Sequence, residues 1–142
     1  MDPSTAADIA EIQQLLAHYA VNMTKDDVDA AIEVFAPDAT FSSFGHTRGL
    51  EDFVLSTRNG RKGMFLTGPA AVTVDGDEAR GEQPVTIIEQ SSHDLLLGWY
   101  TDTFRRTADG WRVQTRQMTF LRRSGARDAG EPTNTVTGEP LT

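Results

Sequence analysis

The second half of the chain constrains its fold most. Four stretches, 64–74, 78–89, 95–106 and 111–122, are strand-like in length and alternation. They are separated by Val74-Asp75-Gly76-Asp77, Gln90-Ser91-Ser92-His93 and Ala108-Asp109-Gly110. Two of these joints contain Asp-Gly, a pair that accepts the positive φ of a tight hairpin. Three consecutive hairpins make an antiparallel meander. The first third reads as helix instead. Ile9, Ile12, Leu15, Leu16, Tyr19 and Met23 recur at helical spacing, with Ser4 or Thr5 as cap and Thr5-x-x-Asp8 resembling a capping box. Asp26 or Asp27 can cap a second helix carrying Val28, Ala31, Ile32 and Phe35, ended by Pro37. A short strand is expected over 39–44 and a third short helix over 49–58, before the breaker Asn59-Gly60. Helices first and strands afterwards imply the α+β class, with a curved antiparallel sheet wrapped around the helices. Such an arrangement leaves a pocket between them. From residue 124 the chain is rich in Gly, Pro, Thr and Asp, so we expect one domain over 1–123 and a loose polar tail over 124–142.

Composition narrows the function classes. The net charge is −8, which argues against nucleic acid or an anionic membrane as partner. There is no cysteine, which removes disulfides, thiolate catalysis and sulfur-ligated metals. The three histidines are scattered without metal-ligand spacing, and no metal site is expected. No apolar run reaches membrane-spanning length, and Met1-Asp2-Pro3-Ser4 has neither the basic nor the apolar segment of a signal peptide. The expected location is cytoplasmic.

Within the third long stretch, period-two alternation puts Leu96, Tyr100, Asp102 and Phe104 on one face and Thr101, Thr103 and Arg105 on the other. Asp102 is therefore an acid set into an apolar wall. It must be paired, protonated or functional. The hairpin at Asp109-Gly110 can bring Arg116 opposite it, depending on whether the turn carries a bulge. With Arg116 close, Asp102 stays ionised; without it, burial favours the neutral acid, a good hydrogen-bond donor.

Leu15-Leu16-Ala17-His18-Tyr19, Asp27-Val28-Asp29-Ala30-Ala31, Phe35-Ala36-Pro37-Asp38-Ala39-Thr40, Gly98-x-Tyr100-x-Asp102 and Asp109-Gly110-Trp111-Arg112-Val113 together resemble the SnoaL-like branch of the nuclear transport factor two-like superfamily. The resemblance covers roughly residues 5 to 123 and implies an α+β cone with a ligand cavity. It also implies a homodimer through the outer face of the sheet, where Trp99, Thr101 and Thr103 would lie. Locally the chain is similar to ketosteroid isomerase. Tyr19 falls at that enzyme's oxyanion-hole tyrosine, Asp102 at its protonated aspartic acid, and Phe120 at a cavity aromatic; Leu66-Thr67-Gly68-Pro69 also echoes it. Ser43 occupies the position of its catalytic base. Against the scytalone and bile-acid dehydratases, Thr24 stands in place of the Asp of the Asp–His pair, and the histidine falls near Met64 or Phe65. Nothing in the chain contradicts the polyketide cyclases of the same branch.

These readings give an expected site. Tyr19 and Asp102 would polarise a substrate oxygen, with His46 in the loop 44–49 as a substitute base. Met23, Phe35, Ser43, Met64, Leu66, Glu89, Tyr100, Arg116, Met118 and Phe120 would line the pocket. Glu89 shares a face with Val85 and Ile87; it and Asp102 are the other candidate bases. His18 would lie at the rim or surface, and His93 in an exposed turn. The expected ligand is a small hydrophobic, oxygenated ring compound. It would undergo isomerisation, dehydration or cyclisation with no cofactor, or be bound without reaction.

Overall fold

The computed structural model describes residues 1–128. Helix α1 (Pro3–Thr24) leads into the short α2 (Val28–Ala31) and a 3-10 turn (Ile32–Val34). Then follow β1 (Phe35–Ser43), β2 (His46–Gly49), α3 (Leu50–Asn59), β3 (Gly63–Thr67), β4 (Ala71–Asp75), β5 (Glu78–Glu89), β6 (Leu95–Thr107), β7 (Gly110–Leu121) and β8 (Arg127–Asp128). The sheet order is β2-β1-β7-β6-β5-β3, with β4 also on β5 and β8 also on β7. Strands β4 to β7 form the expected meander, but β1 joins β7 in parallel, so the sheet is mixed.

Several local expectations are corrected. Asp2, not Ser4 or Thr5, caps α1: its carboxylate accepts from the Ser4 and Thr5 amides, and Pro3 takes the first helical position. Asp27 caps α2, which is a single turn; Phe35 already belongs to β1, so Pro37 lies within that strand and ends no helix. The segment expected as one strand over 64–74 is two strands, β3 and β4, separated by Gly68-Pro69-Ala70. The expected loop after Phe44 is a two-residue hairpin: Ser43 pairs with His46, and Phe44 and Gly45 both take positive φ, 50° and 78°. At the other end, Arg127–Asp128 returns to pair with Leu121 and Phe120, past the expected boundary at 123. The rest of the expected tail, 129–142, lies outside the described residues.

Helix α1 lies across the sheet, burying Ile12, Leu16, Tyr19 and Ala20. Polar side chains fix its position. Asp8 receives two bonds from Arg106, both 2.9 Å, and one from the Trp111 indole, 3.0 Å. Glu11 accepts from the Trp111 amide. Gln13 exchanges two bonds with the Ala70 backbone, and Thr24 accepts from the Phe65 amide at the helix's far end. With both ends anchored, the helix holds the Tyr19 ring over the middle of the sheet.

On β7 one extra residue resets the alternation. Thr103 pairs with Thr115 but Phe104 with Val113, so Gln114 is bulged. Before it Trp111 and Val113 point inward; after it Arg116, Met118 and Phe120 do. An unbroken ladder would set Asp102 against Thr115. The bulge sets it against Arg116.

Candidate functional site

A cavity of about 450 Å³ opens between α1, α3 and the concave sheet. Tyr19 from α1 and Tyr100 from β6 line it, with their rings edge to face, 6.2 Å apart at 89°. Phe41, Phe44, Phe53, Phe65, Met118 and Phe120 make much of the remaining wall. Phe44, at the β1–β2 turn, stacks on Phe120 with ring centres 4.5 Å apart. Burial pushes the Tyr100 hydroxyl up to about 12 and that of Tyr19 well above its ordinary value; neighbouring Arg116 opposes both shifts. Both hydroxyls therefore keep their protons at neutral pH and can donate.

Behind the two tyrosines lies a fully buried ion pair. The Arg116 guanidinium carbon is 3.5 Å from the Tyr100 ring centre and 4.7 Å from that of Tyr19, a cation held against two π faces. Its Nε lies 3.0 Å from Asp102 Oδ1, and its Nη2 donates to Gln83 Oε1 at 2.8 Å. Gln83 in turn donates to the Gly68 carbonyl. Arg116 Nε does not point along the Asp102 contact, and neither Asp102 oxygen accepts a well-directed hydrogen bond among the described residues. Burial pushes the Asp102 carboxyl up to about 6 against the pull of Arg116. At neutral pH it is mostly ionised and serves as a counter-ion.

Tyr19, Met23, Ser43, Glu89, Tyr100, Met118 and Phe120 all line the cavity. The structure differs for other expected residues. Asp102 and Arg116 lie one layer beneath the cavity wall and do not line it. The Asp102 carboxylate is turned to Arg116. Phe35 is buried edge-on between Tyr19 and Phe53, behind the wall. Met64 and Leu66, 48% and 50% exposed, sit on the outer face of the sheet. β3 pairs Phe65 with Ile87 and Thr67 with Val85, so the odd residues of β3 turn inward and Phe65 fills the expected position. His46 is exposed on β2 and does not line the cavity, although Arg48 of the same strand does. His18 meets the Ala30 carbonyl at 3.0 Å, and Thr24 is engaged with the backbone, donating to Ala20 and accepting from Phe65.

Glu89 is the carboxylate on the lining. Its Oε2 lies 3.1 Å from Arg61, and Ser91 donates to Oε1. Sequence reasoning missed Arg48, Arg61 and Lys62, which also line the cavity. Arg61 and Lys62 follow a breaker and carry no periodic signal; only the closure of α3 over the sheet brings them in. Among the described residues no His, Cys, Asp and Glu side chains cluster to hold a metal ion. No helix among them is long and apolar enough to cross a membrane.

Residues 4–117 match the family model of the SnoaL-like domain. The chain is 32% identical over 125 residues to an uncharacterised protein of Mycobacterium tuberculosis, covering 80% of this chain and 85% of the relative. It superposes on a nuclear transport factor two-like protein with a cystatin-like fold from Novosphingobium aromaticivorans (TM-score 0.70, 26% identity, 83% of this chain and 84% of that one). A hexachlorocyclohexane dehydrochlorinase from Novosphingobium barchaimii shares the fold (TM-score 0.73, 17% identity, 84% and 90%).

Proposed function

Because the chain belongs to the SnoaL-like domain family, we propose that its cavity binds a small hydrophobic ring compound bearing an oxygen and performs acid–base chemistry on it. The observation that carries this reading is the pair of buried tyrosines on the cavity wall, backed by the Arg116 guanidinium. The hydroxyls of Tyr19 and Tyr100 donate to the substrate oxygen. The aromatic wall holds the ring and excludes water. Glu89 takes a proton from the carbon beside the carbonyl, and the electron pair moves onto the oxygen. Negative charge then grows where the two hydroxyls and, behind them, Arg116 stabilise it. Returning the proton to another carbon gives isomerisation; expelling a leaving group gives elimination. The reading needs neither a redox cofactor nor a metal. A dehydrochlorinase on the same fold, named for an apolar ring compound, is a fold-level analogy in its favour.

A second reading is a binding protein with the same cavity. Its support is that both carboxylates near the cavity are held by arginines, Glu89 by Arg61 and Asp102 by Arg116. Deuterium exchange separates the two. The protein is incubated in heavy water with a cyclic enone, and label entering the carbon beside the carbonyl is followed by NMR. Catalysed exchange is expected, reduced about 100-fold or more in Glu89→Gln and by a similar factor in Tyr19→Phe. Saturable binding of the enone without any catalysed exchange would establish the binding protein instead.

A further inference from the structure

The charge of the cavity runs against that of the chain. The sequence holds 13 basic and 21 acidic residues, yet Arg48, Arg61 and Lys62 line the cavity against Glu89 as its carboxylate. Their positions follow from the topology. β2 and β3 are the two ends of the strand order, and α3 joins them. Arg48 therefore stands at one end of α3, and Arg61 and Lys62 at the other. Ser56 and Thr57, from the last turns of α3, add hydroxyls between them.

The acids that pair with Arg48 and Lys62 do not close the site, and that of Arg61, Glu89, is itself on the lining. Asp52 lies 3.1 Å from Arg48 and Asp26 3.0 Å from Lys62; both acids are more than half exposed and neither lines the cavity. Such exposed pairs are weak and readily exchanged. A ligand anion could replace Asp52 at Arg48, or Glu89 at Arg61, without leaving either guanidinium bare. Lys62 is committed differently: it donates to the Thr57 and Arg58 carbonyls and closes the end of α3.

We propose that the ligand is amphiphilic, with an apolar ring body against the aromatic wall and a carboxylate held by one of the two cavity arginines, Arg48 or Arg61. This rests on the reading of the cavity as a ring-compound site. It adds a coupling to that reading. When the ligand carboxylate takes the Arg61 guanidinium, Glu89 is released from its ion pair inside the cavity.

Matched probes test this: a naphthol and the hydroxynaphthoic acid that carries the same hydroxyl plus a carboxylate. Binding to the wild-type protein is followed by probe fluorescence. The acid is expected to bind about 10-fold tighter than the naphthol, the strength of one charge-assisted contact. That preference should vanish in the Arg48→Gln, Arg61→Gln double variant. In the wild type it should also shrink as salt rises, a measurement independent of any variant. Naphthol binding with no preference for the acid, or a preference indifferent to salt, overturns the proposal while leaving the cavity reading intact. Binding of neither probe overturns both.

Discussion

Arg116 is buried and charged, yet it does not line the cavity. Its side chain and that of Asp102 are fully buried, and each is the other's counter-ion. Replacing one partner leaves an uncompensated charge, so Arg116→Met is expected to cost about 3–5 kcal/mol in urea unfolding at neutral pH. Replacing both, as Arg116→Met with Asp102→Leu, should recover most of that loss. The pH dependence has a definite sign. The Asp102 carboxyl in the folded protein is raised to about 6 from 3.8. Between those values the folded state binds more protons than the unfolded state, so this group's contribution to stability falls as pH rises from about 4 to about 6. Above that the wild type levels off. In Arg116→Met the carboxyl rises further, so the variant's deficit should widen from pH 6 to pH 8; unfolding midpoints at the two values check it. The sequence showed Asp102 on an inward face and left its partner open. The Gln114 bulge decided the partner, and no residue pattern announces that bulge.

Strands and helices were legible where periodicity or turn chemistry is local. The stripe of α1 and the Asp-Gly hairpins needed no distant contact. β3 and β4 were fused in the sequence reading because Gly68-Pro69 sits between two apolar runs, and only pairing of both strands with β5 separates them. The same pairing set the parity of β3 and replaced Met64 and Leu66 by Phe65 on the cavity wall. One glycine belongs to this scale. Gly98 lies on the inward row of β6, and a Cβ there would overlap the Thr119 carbonyl of β7 and crowd Met118. Gly98→Ala should therefore force the β6–β7 ladder apart and cost ~2–3 kcal/mol, read by thermal or urea unfolding. Asp2→Ala removes the cap of α1 and should lower the midpoint of thermal unfolding.

The whole molecule presents a second apolar surface, on the convex side of the sheet. Leu66 on β3 pairs across Thr86 of β5 to Leu97 of β6, and Pro84 meets Trp99 in the neighbouring row. Leu66 is half exposed. Apolar side chains on an outer sheet face suit a protein partner, and the homodimer expected through this face would cover them. Sedimentation equilibrium should return twice the 15.5 kDa chain mass, falling to one chain in Leu66→Glu with Leu97→Glu. By itself the sequence determined the long first helix, the meander and the α+β class, because hydrophobic period and turn residues act over a few positions. It also identified Tyr19, Tyr100 and Glu89 as candidates for the cavity, because face follows from parity within one strand or one helix. Only the tertiary structure decided that Asp102 faces Arg116 beneath the cavity wall, that Phe65 points inward, and that Arg48 and Arg61 line the cavity. Those outcomes depend on register, on one bulge and on the crossing of α3 between the sheet edges. Such relations join residues far apart in the chain, and no local pattern encodes them.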